Sequence, residues 1–225
     1  GPPHVCSDRR SLSSGRKLRL ANRPHQGERV TAPRIAVLVS GGGRSLENLA
    51  ELIAAKKLDV EIGLVLSDRP NSFALERAAR LGIPNAVIAR ADFDSHQSYS
   101  AAVFGAIEES GVSDGKEPVS LVVLAGFLRL LLLAPGWAGR VINIHPALLP
   151  AFGGKGYYGD YVHAAVLKRG VQVTGCTVHY VDDEYDNGKV LLQRWIAVPK
   201  DADVGTLGSL VFDEEKIALP ESIRM

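Results

Sequence analysis

The sequence is short of cysteine, of net charge and of long apolar runs, and each shortage excludes a class of protein. The two cysteines, Cys6 and Cys176, lie far apart and fit neither a zinc-ligand spacing nor a disulfide framework. A formal net charge of +1 argues neither for nor against a polyanionic partner. No apolar run approaches the ~20 residues that a membrane-spanning helix needs. We expect a soluble protein and predict no metal, no membrane partner and no nucleic-acid partner.

The first 33 residues differ in composition from the rest of the chain. They are rich in arginine and serine, contain only two acidic residues, Asp8 and Glu28, and have too few apolar residues for a buried face. We therefore expect residues 1–33 to be disordered. The same composition is typical of an organelle transit segment, which we favour over a nucleic-acid-binding arm or a linker. This predicts a chloroplast or mitochondrial location, and a cytoplasmic one if the segment has another role.

From residue 34 onwards, short apolar strands alternate with helical patterns. Strands are predicted over 35–39, 62–66, 86–88, 119–124 and 141–145, with helices over 46–53, 73–81, 93–110 and 160–169. This alternation predicts an α/β domain over residues 34–225, with a mostly parallel sheet flanked by helices in a Rossmann-like arrangement. Strands over 173–181 and 190–198 are joined by a short turn, which predicts an antiparallel C-terminal part. A final helix from residue 204 should be broken at Pro220.

The segment VINIHPALLP, residues 141–150, contains the main candidates for catalytic side chains. Asn143 and His145 interrupt an apolar strand and point to the same side, because side chains alternate along a strand. Pro146 ends the strand where these polar groups emerge. An amide beside an imidazole at the carboxyl end of a strand can stabilise an oxyanion and move a proton. The alternative is that Asn143 caps a turn and His145 is a structural histidine.

A glycine-rich turn, SGGGRS at residues 40–45, lies between the first strand and the first helix. Such a turn leaves backbone N–H groups free at a helix N-terminus, where a phosphate can bind. Arg44 could add a cation, and Ser45 a hydroxyl group or an N-cap. The pattern is neither a Walker motif nor the dinucleotide fingerprint. A tight turn that needs glycine only for its dihedral angles is the alternative, but three glycines exceed that need, so we favour a phosphate site.

An acidic turn at residues 182–188 follows the strand over 173–181. It carries four carboxylates without a basic partner nearby in sequence: Asp182, Asp183, Glu184 and Asp186. The spacing of a calcium-binding loop is absent, so a solvated turn is the default interpretation. The sharper hypothesis is that Asp186 reaches back to His145, orients it and keeps it protonated.

Two loop segments complete the predicted site. Residues 125–130, AGFLRL, leave the fourth strand and provide an apolar wall, whereas Arg129 taken alone is expected to face solvent. Residues 151–156, AFGGKG, are too rich in glycine for regular structure and are expected to form a mobile loop beside the site.

Five segments taken in order resemble one family. VSGGGRS, LAGFLRL, NIHPALLPAFGGKGYYG, GCTVHYVDDEYDNG and DEEKIALP are similar to segments of the phosphoribosylglycinamide formyltransferases, the folate-dependent enzymes of purine synthesis. The resemblance covers residues 34–217 and is greatest to plant and algal-like forms. It implies a formyltransferase fold, with 10-formyltetrahydrofolate as co-substrate, glycinamide ribonucleotide as formyl acceptor and no metal. The oligomeric state, monomer or homodimer, is left open.

The resemblance also implies roles for individual residues. The catalytic group would be Asn143, His145 and Asp186, with Asp186 raising the pKa of His145. The folate pocket would contain Leu128, Arg129, Leu130, Leu131, Asn143, Val181, Asp182, Asp183, Glu184 and Tyr185. The ribonucleotide site would contain Gly42, Gly43, Arg44, Ser45, His96, Ile144, Pro146, Phe212 and Glu215, with Glu215 accepting hydrogen bonds from ribose hydroxyls.

This sequence departs from the family pattern in three places. Arg44-Ser45 stands where many relatives have Ser-Asn, and His96 stands where they often have Arg or Lys. The sequence ends at Met225, before the expected terminal helix and tail, which predicts a shortened C-terminus.

Related activities are alternatives. A methionyl-tRNA formyltransferase would need an RNA-binding domain after the catalytic one, and the sequence ends too early for it. A formyltetrahydrofolate hydrolase would not use a phosphate-binding turn. A catalytically inactive folate-binding relative would not need intact Asn143, His145 and Asp186.

Overall fold

The computed structural model describes residues 32–112 and 115–225. The predicted N-terminal segment, residues 1–33, therefore lies outside the described residues except for its last two positions. Its expected disorder and targeting role stay predictions.

The described residues form one seven-stranded sheet flanked by helices. The strands are β1 (Arg34–Val39), β2 (Glu61–Ser67), β3 (Asn85–Val87), β4 (Val119–Leu124), β5 (Val141–His145), β6 (Val173–Tyr180) and β7 (Val190–Ala197). The helices are α1 (Arg44–Ala54), α2 (Phe73–Arg80), α3 (His96–Val112), α4 (Asp160–Arg169) and α5 (Val204–Ile223). The strand order is β3-β2-β1-β4-β5-β6-β7, parallel from β3 to β5 and antiparallel for β6 and β7. The predicted α/β fold with an antiparallel C-terminal part is confirmed.

The sheet separates two layers of helices, and β1 shows how. Ile35, Val37 and Val39 face the side covered by α1, α2, α4 and α5. Ala36 and Leu38 face the opposite side, which α3 covers. Because β1 is buried on both faces, it appears in the sequence as a continuous apolar run rather than an alternating one.

The carboxyl ends of β1, β4 and β5 lie at the same edge, because these three strands are parallel neighbours. Two hydrogen bonds connect the glycine turn after β1 to the segment after β4. The Ser40 N–H donates to the Gly126 carbonyl at 2.9 Å, and the Leu128 N–H donates to the Ser40 hydroxyl at 2.9 Å. The predicted phosphate turn, the segment over 125–130 and the His145 strand end therefore meet at one edge, where ligands of open α/β sheets bind.

The last helix differs from the prediction, because α5 continues through Pro220. A proline has no backbone N–H, so the carbonyl of Lys216, four residues earlier, loses its helical partner. The side-chain amide of Asn48, in α1, donates to that carbonyl at 3.1 Å. A neighbouring helix thus replaces the missing hydrogen bond.

Helix α3 also differs from the prediction, beginning three residues later than expected. Residues Arg90–Asp92 form a short 3₁₀ turn. The Ser95 hydroxyl then accepts a hydrogen bond from the Ser98 N–H at 3.0 Å, as an N-cap does, and the α-helix starts after it. At its other end the helix passes through Gly111 instead of ending before it.

A close backbone approach between β6 and β7 predicts the cost of one substitution. A Cβ added at Gly175 would meet the carbonyl oxygen of Arg194 and lie 2.8 Å from the Cα of Trp195. We expect Gly175→Ala to lower the free energy of unfolding by about 1–3 kcal/mol, as overpacking does. Gly105→Ala is the matched control, because a Cβ there has no described atom within 4 Å, and it should raise stability by about 0.5–1 kcal/mol. Urea unfolding measures both, and equal stability of the two variants would contradict this packing.

Candidate active site

The glycine turn between β1 and α1 leaves a helix N-terminus accessible. Helix α1 starts at Arg44, and among the described residues no side chain caps it. Gly43 has φ 72°, and a Cβ there would lie 2.6 Å from the Cβ of Ala74, so both its dihedral angle and the approach of α2 require glycine. A Cβ at Gly41 or Gly42 would have no described atom within 4 Å. The first N–H groups of α1 are therefore open to an anion.

This turn forms one wall of a cavity of about 310 Å³, here called the phosphate cavity. Of the predicted ribonucleotide-binding residues, those that line it are Gly42, Gly43, Arg44, Ser45, Ile144, Pro146, Phe212 and Glu215. The guanidinium carbon of Arg44 lies 4.1 Å from the centroid of the Phe212 ring, in cation–π contact. Burial raises the pKa of Glu215 to about 7, against the opposing charge of Arg44. The cavity thus combines a cationic, N–H-rich wall with a carboxyl group that titrates near neutral pH.

Asn143, His145 and Asp186 lie together at the carboxyl end of β5. Nδ1 of His145 lies 3.5 Å from Oδ2 of Asp186. Nδ2 of Asn143 lies 3.3 Å from Oδ1 of the same carboxylate. The N–H of Gly154 donates to Oδ2 of Asp186 at 2.9 Å. The structure therefore places Asp186 beside His145, 41 positions earlier in the chain, and beside the amide of Asn143.

A second histidine, His179, belongs to this group and was not predicted from the sequence. The side chain of His179 is 2% exposed, and its Nδ1 donates to the carbonyl of Tyr180 at 2.8 Å. Nε2 of this ring lies 3.0 Å from Nδ2 of Asn143 and 3.6 Å from Oδ1 of Asp186. Because side chains alternate along a strand, the sequence of β6 places His179 on the same face of the sheet as Thr177. Only the register, which pairs Asn143 with His179, could place it in the site.

The hydrogen-bond donors that an oxyanion would need are engaged within the protein. The Nε2–H of His145 donates to the carbonyl of Phe152 at 2.8 Å. The amide N–H groups of Asn143 face His179 and Asp186. A substrate oxygen must therefore compete with at least one of these acceptors before it can bind in the site.

The pKa shifts indicate that Asp186 is charged and His145 is neutral in the free protein. Burial lowers the pKa of His145, and this outweighs the raising effects of the Asp186 charge and the Phe152 carbonyl, while His179 lowers it further. The prediction that Asp186 keeps His145 protonated is therefore wrong for the free protein, because desolvation is the larger effect. Burial also raises the pKa of Asp186, but contacts with His179, His145 and the Gly154 N–H lower it below its ordinary value. At pH 7 the carboxylate is charged and the imidazole is neutral.

Three cavities follow one another along this edge of the sheet. A central cavity of about 360 Å³ has Asn143, His145 and Asp186 on its walls and shares Leu128 and Ile144 with the phosphate cavity. A smaller cavity of about 50 Å³, here called the small pocket, lies on the other side. Predicted folate residues that line the small pocket are Arg129, Leu130, Leu131, Asn143, Val181, Asp182, Glu184 and Tyr185, while Leu128 lines the central cavity.

Two predicted folate residues have partners that the sequence did not indicate. Nε of Arg129 lies 2.6 Å from Oδ2 of Asp68, whose side chain is fully buried. The side chain of Arg129 is 39% exposed, so it does meet solvent as expected, but it also forms an ion pair that the sequence did not indicate. Asp183 accepts a hydrogen bond from the Leu133 N–H at 3.0 Å and lines none of these three cavities.

The structure does not bring His96 to the phosphate cavity. His96 is the first residue of α3, and it lines none of the three cavities. Helix α3 covers one side of the sheet, whereas α1 and α5, which bear Arg44 and Glu215, cover the other. The sheet therefore lies between α3 and these two helices.

Neither a metal cluster nor a membrane span is found in the part of the chain that the structure describes. No group of three or more His, Cys, Asp or Glu side chains among these residues could hold a metal ion. No helix of this part is long and apolar enough to cross a membrane.

Within the acidic turn, the Asp182 carboxylate accepts hydrogen bonds from the Glu184 N–H and from the Asn187 side-chain amide, so it stabilises the turn itself.

Comparison with known proteins agrees with this arrangement. The sequence matches the family model described as formyl transferase over residues 33–223. The chain belongs to the formyl transferase family. The five segments with family resemblance, which lie between residues 39 and 220, are all within the matched region of this formyl transferase.

Relatives of this formyl transferase include proteins of purine synthesis. The trifunctional purine biosynthetic protein adenosine-3 of Gallus gallus is 37% identical over 194 residues, which are 85% of this chain and 18% of that protein. The chloroplastic phosphoribosylglycinamide formyltransferase of Arabidopsis thaliana is 35% identical over 184 residues, 81% of this chain and 61% of that protein. The chain thus spans less than two thirds of either relative. The crystal structure of glycinamide ribonucleotide transformylase 1 from Symbiobacterium toebii matches with a TM-score of 0.76 at 33% identity, covering 87% of each chain.

The charge states predict how the site of this formyl transferase titrates. In a nuclear magnetic resonance titration, His145 should show a pKa below the ordinary histidine value of about 6.5. Asp186→Asn should lower that pKa further, because the carboxylate charge raises it. Asp183→Asn is the matched control, since its carboxylate binds the Leu133 N–H, and should leave His145 unchanged. A higher pKa in Asp186→Asn than in the unaltered protein would contradict this assignment.

Proposed function

We propose that this protein transfers the formyl group of 10-formyltetrahydrofolate to the amine of glycinamide ribonucleotide, a step of purine synthesis. The observation that carries the proposal is the row of three cavities. The phosphate cavity offers a helix N-terminus and Arg44, the central cavity contains Asn143, His145 and Asp186, and the small pocket beyond them is lined by residues that the family resemblance assigns to folate binding. A phosphorylated amine and a folate can therefore approach the reacting groups from opposite sides.

The proposed reaction forms one bond and breaks one. The amine nitrogen attacks the formyl carbon, and negative charge develops on the formyl oxygen. The intermediate then collapses by cleavage of the bond from the formyl carbon to N10 of the folate. The amine nitrogen loses a proton and N10 gains one, so the transfer balances without a further reactant. The residues proposed to act on this oxygen are Asn143 and His145, and one such donor is worth about 3–4 kcal/mol in the barrier.

The neutral state of His145 in the free protein is compatible with this role. A neutral imidazole still donates through Nε2–H, which the Phe152 carbonyl accepts before substrate binds. Negative charge developing nearby raises the pKa of the ring, so its capacity to protonate the oxygen increases as the reaction proceeds. The role proposed for Asp186 is to stabilise the cation that forms, because only the protonated ring carries an Nδ1–H for the carboxylate to accept.

We also propose plastid import, directed by residues 1–33. The support is the arginine-rich, acid-poor composition of that segment and the chloroplastic names of the plant relatives from Arabidopsis thaliana and Vigna unguiculata.

The function is tested by mixing the protein with 10-formyltetrahydrofolate, with and without glycinamide ribonucleotide, and following formylated product and released formate. Formylated product is expected only when the amine is present. His145→Ala should reduce turnover about a hundredfold or more while circular dichroism shows an unchanged fold. Formate release without the amine would identify a hydrolase, and folate binding without turnover would identify an inactive relative. Unchanged turnover in His145→Ala would remove this residue from the mechanism.

The phosphate cavity makes a separate prediction for substrate affinity. Arg44→Ala should raise KM for the ribonucleotide about tenfold or more and change kcat little, because a phosphate remote from the reacting centre contributes uniform binding. Lys216→Ala is the matched control. Lys216 also lies over the Phe212 ring, at 5.7 Å, but it does not line the cavity. A lower kcat at unchanged KM in Arg44→Ala would contradict the phosphate role.

A further inference from the structure

A buried histidine in α4 lines the phosphate cavity and has no role in the mechanism above. His163 is 5% exposed, and it lies on the cavity wall with the glycine turn and Phe212. It belongs to none of the five segments that carry the family resemblance. Neither the charges of α4 nor the spacing of its apolar residues marks His163 as a functional residue.

The hydrogen bonding of this ring is incomplete. Nδ1 of His163 is buried, and within residues 32–112 and 115–225 it has no hydrogen-bond partner. A buried polar atom left unpaired costs about 1–3 kcal/mol, so such atoms are normally paired with protein, water or ligand. The ring therefore retains an unused hydrogen-bonding capacity at the edge of the cavity. Because Nδ1 is closed off from solvent, a molecule in the cavity reaches it only when the ring turns or its neighbours shift.

The packing of α5 leaves space for this ring. A Cβ added at Gly208 would lie 3.1 Å from Cδ2 and 3.3 Å from Nε2 of His163. The glycine therefore lets the imidazole sit between α4 and α5, at the edge of the cavity.

The charges around the ring favour a neutral partner. Burial lowers the pKa of His163, Asp160 raises it, and Arg44 and His145 lower it. The ring is thus neutral at pH 7, within electrostatic range of both the phosphate turn and the reacting centre. A neutral imidazole has one donor and one acceptor, which suits a hydroxyl group better than a phosphate dianion. The guanidinium of Arg44 already supplies the cation that a phosphate needs.

We propose that His163 is a further substrate-positioning residue, which hydrogen-bonds a ribose hydroxyl of the ribonucleotide in the phosphate cavity. The proposal rests on the proposed function and extends it to a residue outside the family segments. A bond at this point fixes the sugar between the phosphate and the amine, so it controls how far the amine reaches toward the central cavity.

The experiment compares His163→Phe, which keeps the ring shape without nitrogen, with His163→Asn, whose amide keeps a polar group at this position. His163→Phe should raise KM for glycinamide ribonucleotide about tenfold, the loss expected for one hydrogen bond, with kcat and KM for the formyl folate within about twofold. His163→Asn should recover most of that loss. A merely structural role would instead change the kinetic constants for both substrates together and would not be rescued by Asn.

A second measurement identifies the hydroxyl and does not depend on equal stability of the variants. In the unaltered protein, the 2′-deoxy or the 3′-deoxy analogue of the ribonucleotide should have a KM about tenfold higher than the ribonucleotide itself, and His163→Phe should lose that discrimination. Retention of the full discrimination in His163→Phe, or an unchanged KM, would overturn the proposal.

The proposal for His163 and the proposed function can be tested independently of each other. If the unaltered protein does not formylate the ribonucleotide, the proposed function fails. Binding of ribose 5-phosphate, measured by calorimetry on the unaltered protein and on His163→Phe, then still decides whether His163 contacts a sugar in this cavity. Equal affinity of the two proteins would refute that contact.

Discussion

The candidate site depends above all on the carboxylate of Asp186, which contacts groups from three separate parts of the chain. Its Oδ1 faces the amide of Asn143 and the ring of His179, and its Oδ2 faces the ring of His145 and the N–H of Gly154. The residue has φ 54°, in the left-handed region that Asp tolerates better than most side chains. One carboxylate therefore hydrogen-bonds to an amide on β5 and to the loop that follows β5, and lies beside a histidine on each of β5 and β6.

The register of β5 and β6, together with the turn after β6, makes this convergence possible. The sheet is parallel up to β5, so the ends of β1, β4 and β5 share one edge. Strand β6 runs antiparallel to β5, with His179 paired to Asn143 and Tyr180 to Ile142, so its end points toward the amino end of β5. The turn that follows folds back along β5, which brings Asp186 to Asn143 and His145. The anion-binding turn and the reacting groups thus occupy neighbouring cavities.

Much of the fold and part of the site were predictable, because they depend on local periodicity. The alternation of strands and helices, the strand end at His145 and the glycine turn all follow from residues within a few positions of one another. The errors and omissions arise where a distant residue intervenes. Pro220 does not break α5, because Asn48, 168 positions from Lys216, bonds the carbonyl that proline leaves free. The ion pair of Arg129 was not predicted, because Asp68 lies 61 positions away in sequence although it is 2.6 Å away in space.

The amino-acid sequence by itself determined the α/β order of elements, the family, and the positions of the polar groups at strand ends, because period and residue chemistry are local properties. Only the tertiary structure decided how those groups are partnered and charged. It paired Asn143 with His179 through strand register, and it buried His145 deeply enough that desolvation outweighs the charge of Asp186. Desolvation and hydrogen bonding depend on everything packed around a group, and that environment exists only once the sheet and its helices have assembled.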